Sequence, residues 1–405
     1  MSDLPSHKQL LLPVLHAVES LGGTATPRDV VRKVAENLEL TDKLKHYRGK
    51  VSGREIDLFG RRIRWVRQDG IRRGFLNAAS YGVWELTAPG KNFIGNIKPG
   101  IVITIYETDR GTALWGLAET AGALIEKESI NLVICSPEYP LVKSKEYGNR
   151  NGSDYLNWLT DLARDWKRIL VDSGSLVLGL GPVWQRGEPT QSLYQERLIL
   201  KLVDDLGYHL AQYFYFHNPG KVPSSEWVTI RRVRVRNVME DVLWLSKTKN
   251  PKANNNNVLL PTTERIKKLI AKGGQQRGWQ NRTPSGHSGT IGGFGRDNGG
   301  LIPTNLITAT NSASNDFYHR ECRRHGLPIH PARFAKAVPE FFVRFLTDEN
   351  DVVYDPLSGS GIVPMVCEEQ NRNWLSSERA LAYISGSKFH VRHNYRNLAP
   401  HLCAI

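Results

Sequence analysis

Cysteine is scarce in this chain: Cys135, Cys322, Cys367 and Cys403 are its four cysteines, with no close pair and no histidine at ligand spacing. That argues against a disulfide framework and a structural zinc site and leaves buried, reduced thiols as the expectation. No apolar run approaches the ~20 residues of a membrane-spanning helix. The opening segment lacks the charged-then-apolar order of a secretory signal, so a cytoplasmic protein with no membrane association is expected. Acidic residues are in deficit, 40 against 54 Lys and Arg, and the net charge of +14 points to a polyanionic partner. Against these shortages stand 405 residues, 40% of them hydrophobic, enough for two or three globular units.

Near the N-terminus, Leu11, Leu12, Leu15, Val18 and Leu21 have helical spacing, and Gly22-Gly23 ends the run. Thr26-Pro27 reads as a cap and first turn of a second helix through Val30, Val31 and Val34. From Lys43 to Arg73 there are eleven Lys or Arg against three acids, among them Arg61, Arg62 and Arg64, with apolar residues interleaved as in a basic helix. Gly74-Phe75-Leu76 and the alternating Tyr81, Val83, Trp84 and Leu86 then suggest a short hairpin. Charge runs are commonly no more than solvated faces. Here the run coincides with helix-turn-helix spacing, and DNA contact is expected.

Further on, the run from Ile130 to Cys135 is β-rich and continuously apolar, as in a buried parallel strand, and Ser136-Pro137-Glu138-Tyr139 follows it. Ligands of open α/β sheets lie beyond the carboxyl ends of strands, so this tetrapeptide is positioned for a site. A helix over 155–170, a strand over 174–178, a helix over 193–206 and a strand over 213–216 continue a doubly wound alternation. Far downstream, Asp351 to Gly361 reads as a strand ending in Asp355-Pro356 and a glycine-rich turn with Gly359, Ser360 and Gly361. After a helix, Asn373 to Glu378 reads as a second strand tipped by a carboxylate. The spacing from Gly359 to Glu378 is that of a mononucleotide-binding βαβ unit, although an ordinary α/β turn can share it. Gly179-Leu180-Gly181 carries no weight by itself.

The tetrapeptide and the DPxxGSG turn together resemble the amino-methyltransferases of DNA, in the circularly permuted order called the beta class. Blocks at 145–149, 218–221, 282–287, 297–300 and 330–334 extend the similarity to the PvuII-type cytosine-N4 DNA methyltransferases over about residues 115–395. The first ninety residues resemble the Mrr-type N-terminal winged-helix domain of restriction and modification proteins. The resemblance implies a permuted Rossmann-like methyltransferase fold behind a winged-helix domain. Its expected divisions are a DNA-binding domain over 1–95, a catalytic half over 96–246, a target-recognition region over 247–327 and a cofactor half over 328–405.

By the same resemblance, the cofactor is S-adenosylmethionine and the target is the exocyclic amine of cytosine in duplex DNA, rotated out of the helix. Ser136 and the carbonyl of Pro137 would accept hydrogen bonds from that amine, and Tyr139 would stack on the base, with Glu138 completing the catalytic tetrapeptide. Asp355, Pro356, Gly359, Ser360 and Gly361 would flank the methionine part of the cofactor. Glu378 would bind the ribose, and Pro331, Ala332 and Phe334 would line the remaining side. No metal is required. Lys221, Arg282 and His287 fall in matching blocks and are expected on DNA. So are Arg231, Arg232, Arg234 and Arg236, whose alternation would set Arg232, Arg234 and Arg236 on one strand face. The polar stretch over 247–300 is expected beside the pocket mouth.

Glu138 stands where the family has proline, Leu117 where an acid would meet the adenine amine, and Ile362 where the glycine turn usually has threonine; Pro364 interrupts the start of the next helix. These departures keep open a pseudo-methyltransferase that binds DNA within a defence complex. An adenine-N6 enzyme is the other alternative, against which Ser136 leans. A cognate endonuclease or defence subunits, a monomeric or homodimeric state, and a nucleoid-associated prokaryotic or phage setting complete the expectations.

Overall fold

The structure, a computed structural model, describes residues 7–37, 48–51, 54–77, 82–87, 89–91, 100–140, 152–185, 187–223, 225–278, 289, 291–310, 315–391 and 395–397. Tyr81, the 145–149 block, Arg282, His287 and Cys403 lie outside these residues.

The N-terminal module comprises α1 (His7–Ser20), β1 (Thr24–Ala25), α2 (Pro27–Asn37), β2 (Arg48–Val51), β3 (Arg54–Asp57), α3 (Leu58–Arg72) and β4 (Trp84–Glu85). Thr26 caps α2 through Oγ1, which accepts from the Asp29 amide at 3.2 Å. Leu10, Leu11, Val14, Leu15 and Val18 of α1 share one buried cluster with Val30, Val34, Phe59, Ile63 and Val66. The basic segment is not a single helix. It opens as the antiparallel pair β2–β3, and Asp57 at its end caps α3 by accepting from the Gly60 amide at 2.9 Å. On α3, Arg61 and Arg62 are half-buried and Arg64 and Trp65 are exposed, opposite the apolar face. The expected hairpin is present: Leu76 bridges Leu86 in antiparallel sense, the Asn77 amide donates to Glu85 O at 2.8 Å and the Thr87 amide to Phe75 O at 3.1 Å, and β4 pairs in addition with β1, which lies between the first two helices.

The rest of the described chain builds one ten-stranded sheet. Its strands are β5 (Val102–Glu107), β6 (Gly111–Gly116), β7 (Ile130–Cys135), β8 (Leu170–Leu180), β9 (His209–His217), β10 (Met239–Ser246), β11 (Leu306–Thr308), β12 (Val352–Asp355), β13 (Asn373–Glu378) and β14 (Arg396–Asn397). They lie in the order β11-β9-β10-β8-β7-β12-β13-β6-β5-β14. The centre, β8-β7-β12-β13-β6, is parallel, and β7 meets β12 with Leu132 opposite Val353. Strands from distant parts of the chain are thus neighbours, as the permuted order requires.

Being buried on both faces, β7 sends Leu132 and Ile134 to one apolar layer and Val133 and Cys135 to the other. The helices α4 (Ala118–Leu124), α5 (Gly152–Ile169) and α6 (Tyr194–Leu200) share the second layer, α6 continuing as a π-turn over Lys201–Asp205. After the exposed α7 (Glu264–Ala271) and α8 (Phe317–His325) come α9 (Ala337–Leu346), α10 (Ile362–Glu369) and α11 (Leu381–Ser387), which supply the first layer. Tyr318, Cys322, Leu327, Ala382 and Phe389 belong to the buried cluster of the N-terminal module, linking α8 and α11 to it. Among the described residues no helix is long and apolar enough to cross a membrane.

Three sequence expectations are corrected. Residues 231–236 form no strand: Arg232 has φ 54°, Arg234 lies over Trp184 with 3.4 Å between guanidinium carbon and ring centre, and Arg231 pairs with Glu226. Residues 247–258 do not flank the carboxyl ends of the strands. Lys247 bonds Leu170 O, Thr248 bonds Asp172 O, Lys252 pairs with Asp348 and Asp351, and the Asn254 amide bonds Phe345 O; all of these groups belong to the opposite edge, where β8 and β12 begin. Pro364 does not interrupt α10, because it falls in the first turn, where a backbone amide has no helical acceptor.

Candidate functional site

The carboxyl ends of β7, β8, β12, β13 and β6 and the start of β10 surround a cavity of about 810 Å³, of a size that suits a nucleotide-like ligand. Its wall brings together Ser136, Pro137, Glu138 and Tyr139 with Pro331, Ala332, Phe334, Pro356 and Glu378, all singled out in the sequence. Lys221 is there too. Asp355, Gly359, Ser360 and Gly361 are buried immediately behind Pro356 and Leu357 rather than on the wall.

The tetrapeptide leaves β7 and turns across the end of β8. Ser136 Oγ lies 3.3 Å from both the Tyr139 hydroxyl and the carbonyl oxygen of Gly179. The Tyr139 hydroxyl donates to Glu240 at 3.4 Å, and the other oxygen of Glu240 accepts from Lys221 Nζ at 2.7 Å. A connected polar row therefore runs from Ser136 to a lysine at the far wall. Gly181 makes room for the tyrosine: a Cβ there would stand 2.4 Å from the Tyr139 ring. A Cβ on Gly179 would stand 3.1 Å from Phe334. The Gly-Leu-Gly passed over in the sequence is thus part of the site. Two glycines ending an apolar strand were the signal.

At the other end, Glu378 is buried, and each of its oxygens accepts a backbone amide, from Gly359 at 3.0 Å and from Ala380 at 2.8 Å. Each oxygen keeps a further lone pair. Burial pushes its pKa up, opposed by the Ala380 amide and the Arg379 charge. Burial likewise pushes Asp355 well up; the Leu357 amide opposes this, and the Glu378 charge adds to it. The glycine turn follows directly. Gly359 and Gly361 have φ of 50° and 80°, and a Cβ on Gly359 would lie 3.0 Å from His330 Nε2. The buried hydroxyls of Ser358 and Ser360 have no hydrogen-bond partner among the described residues. Buried polar groups are seldom left so unless something else binds there.

The Pro331–Phe334 wall is anchored from α8. Arg333 pairs with Asp316 at 2.6 Å, and the same carboxylate accepts the His319 amide and contacts His319 Nδ1 at 2.7 Å. Burial would raise the pKa of Asp316, but the His319 amide, Arg333 and the His319 ring outweigh it and bring it to about 2. Neither Asp316 nor His319 had a recognisable motif. The departures also have definite surroundings. Glu138 lies 3.5 Å from Arg379, and Glu119, two residues beyond Leu117, faces the cavity while accepting from Trp158 Nε1 at 2.7 Å.

A double-acceptor carboxylate at a strand tip, unpartnered serine hydroxyls in a glycine turn and apolar cheeks from Leu117, Leu357 and Phe334 fit a ribose, a charged amino-acid tail and a flat base. No His, Cys, Asp or Glu cluster suited to a metal occurs among the described residues. Comparison with known proteins agrees with this geometry. Residues 130–389 match the DNA methylase family model, and residues 7–96 match the Mrr N-terminal domain. The chain is 38% identical over 291 residues to the type II methyltransferase M.PvuII of Proteus hauseri, covering 71% of this chain and 86% of that one. It is 25% identical over 270 residues to the type II methyltransferase M.BglII of Bacillus subtilis, covering 64% and 63%. A solved structure of the PvuII cytosine-N4-specific DNA methyltransferase superposes with a TM-score of 0.57 at 33% identity, over 71% of this chain and 88% of the other. With strand tips, glycine turn and tetrapeptide in the permuted order and a family match spanning most of the sheet, the chain belongs to the DNA methylase family.

Proposed function

We propose that the protein transfers a methyl group from S-adenosylmethionine to the N4 amine of cytosine in duplex DNA. The observation that carries this reading is Ser136 on the cavity wall, held beside the Gly179 carbonyl and opposite the Glu378 end. Glu378 would hold the ribose hydroxyls, the Asp355–Gly361 turn would flank the amino-acid tail, and Pro331, Ala332 and Phe334 would close the remaining side. When bound, the cofactor supplies an electrophilic methyl group, so no metal or covalent enzyme intermediate is needed.

The target amine is a weak nucleophile because its lone pair is delocalised into the ring. Ser136 Oγ and the Pro137 carbonyl would accept its two hydrogens, drawing the lone pair out of conjugation. Tyr139, fitted against Gly181, would stack on the extruded base. The row Tyr139–Glu240–Lys221 holds the tetrapeptide from the opposite wall and offers a carboxylate for the departing proton.

On the DNA side, Arg232 and Arg236 are exposed and suit phosphate contact, as do Arg61, Arg62 and Arg64 of α3. Arg231 and Arg234, committed to Glu226 and Trp184, would shape that surface. Lys221, paired with Glu240, belongs to the cavity wall. Residues 1–95 would act as a DNA-binding domain, and 96–246 and 328–405 as catalytic and cofactor halves. Residues 247–327 would form the target-recognition region, its DNA-facing part, with Arg282 and His287, lying beyond the pinned 247–258 segment. A cognate endonuclease, a monomeric or homodimeric state and a nucleoid setting accompany this reading.

Nucleoside analysis of DNA from cells expressing the chain tests it. N4-methylcytosine is expected; N6-methyladenine would reassign the target, and no methylated base despite cofactor binding would leave a DNA-binding pseudoenzyme.

A further inference from the structure

Glu138 is a carboxylate inside a pocket wall that already contains Glu378, with Asp355 buried behind it. Its side chain is only 11% exposed. A carboxylate so enclosed is costly unless compensated. Compensation comes from across the sheet: Arg379 Nη2 lies 3.5 Å from Glu138 Oε2, with the arginine side chain itself 28% exposed. The backbone of Arg379 is fixed independently, since its carbonyl accepts from Trp115 Nε1 at 2.9 Å.

The two partners leave different strands. Glu138 follows β7 and Arg379 follows β13, and in the sheet β12 lies between them. The ion pair therefore straddles the tip of β12, where Asp355 ends. One of its residues is covalently two positions from Ser136, the other adjacent to Glu378. Proline at position 138 would stiffen the tetrapeptide by fixing φ; glutamate cannot, and the loop must be held by contacts.

We propose that the Glu138–Arg379 ion pair is a tie between the cofactor strand and the tetrapeptide, and that Arg379 is a positioning residue for Ser136. The tie does in this chain what a proline would do through the backbone. It also makes the two halves of the pocket order together, since a shift of β13 is passed to the loop that meets the base.

The test is a double-mutant cycle on the full chain, with Arg379→Met, Arg379→Lys, Glu138→Gln, Glu138→Pro and the double variant Glu138→Pro with Arg379→Met. Two readouts are taken: kcat and KM for methyl incorporation into long unmodified duplex DNA, and the Kd of S-adenosylmethionine by calorimetry. Arg379→Met and Glu138→Gln are each expected to lower kcat about tenfold or more, with KM for DNA changed by less than about threefold, and Arg379→Lys to keep more activity than Arg379→Met. The double variant is expected to lie closer to the parent than Arg379→Met alone in both readouts. Losses that simply multiply in the double variant, or a parental kcat and Kd in Arg379→Met, overturn the tie. The kinetic readout rests on the proposed methyl transfer, whereas the calorimetric one does not. A parent that binds cofactor but methylates nothing thus defeats that reading and leaves the cycle in Kd to decide the tie. Should Arg379→Met not fold, Glu138→Gln with parental kcat and Kd also overturns it.

Discussion

The two edges of the sheet are finished in opposite ways. Where β8 and β12 begin, the cations are paired: Lys247 bonds Leu170 O and Glu128, Lys252 pairs with two aspartates, and Arg372 donates to Thr347 Oγ1, Thr347 O and Gln370 O. Where the parallel strands end, carboxylates are crowded into a buried space, and the hydroxyls of Ser358, Ser360 and Ser376 have no partner among the described residues. Both edges are rich in polar residues, so composition does not distinguish them. The kind of bonding does: one edge joins its cations to carbonyls and carboxylates in a seam that closes the fold, and the other presents buried serine hydroxyls and carboxylates with bonding capacity a ligand would use.

That contrast can be broken by substitution. Ser136→Ala should have the largest effect, lowering kcat by about 10²-fold or more with cofactor affinity unchanged by calorimetry. Glu378→Gln should instead weaken S-adenosylmethionine binding, by about tenfold to a hundredfold, since hydrogen bonds to a charged acceptor contribute ~1.5–3 kcal/mol. Gly181→Ala drives a methyl group into the Tyr139 ring; overpacking of this kind costs ~1–3 kcal/mol, expected as a lower Tm together with a several-fold lower kcat. Arg232→Ala with Arg236→Ala should leave both quantities alone and flatten the salt dependence of DNA affinity, by a log–log slope of roughly 0.9 for each phosphate no longer neutralised. On the closed edge, Asn257→Ala removes the 3.1 Å bond to Arg344 O and should cost about 1 kcal/mol of stability with activity intact. A large loss of activity in that last variant would refute the distinction between the edges.

Much of the pocket was legible in the sequence because its chemistry is local. A buried strand must be continuously apolar, and its tip must carry the reacting group, so the run 130–135 announced Ser136, and 351–355 announced the glycine turn. The helix over 152–169 and the strands at 170–180, 209–217 and 373–378 also fell close to expectation. The failures share a cause. Alternation at 231–236 is compatible with a half-exposed strand but does not make one: side chains that stack on Trp184 or pair with Glu226 hold the backbone elsewhere. The asparagines at 254–257 have the composition of a free loop, yet Asn254 caps its own short helical turn and Asn257 reaches α9. Arg379 had no signal whatever, since its meaning depends on a glutamate 241 residues away.

The pairing of β7 with β12 has a consequence for biogenesis. As a nascent chain lengthens, the N-terminal module can gather most of its own core while much of the sheet has yet to be made. The methyl-transfer pocket cannot, because Ser136 must wait for β12 and β13, more than two hundred residues later, before its opposite wall exists. Contacts of such long sequence separation form slowly. If residues 1–95 bind DNA as proposed, a truncated or incompletely folded chain would therefore hold DNA without modifying it, the capacity to bind arising before the capacity to methylate.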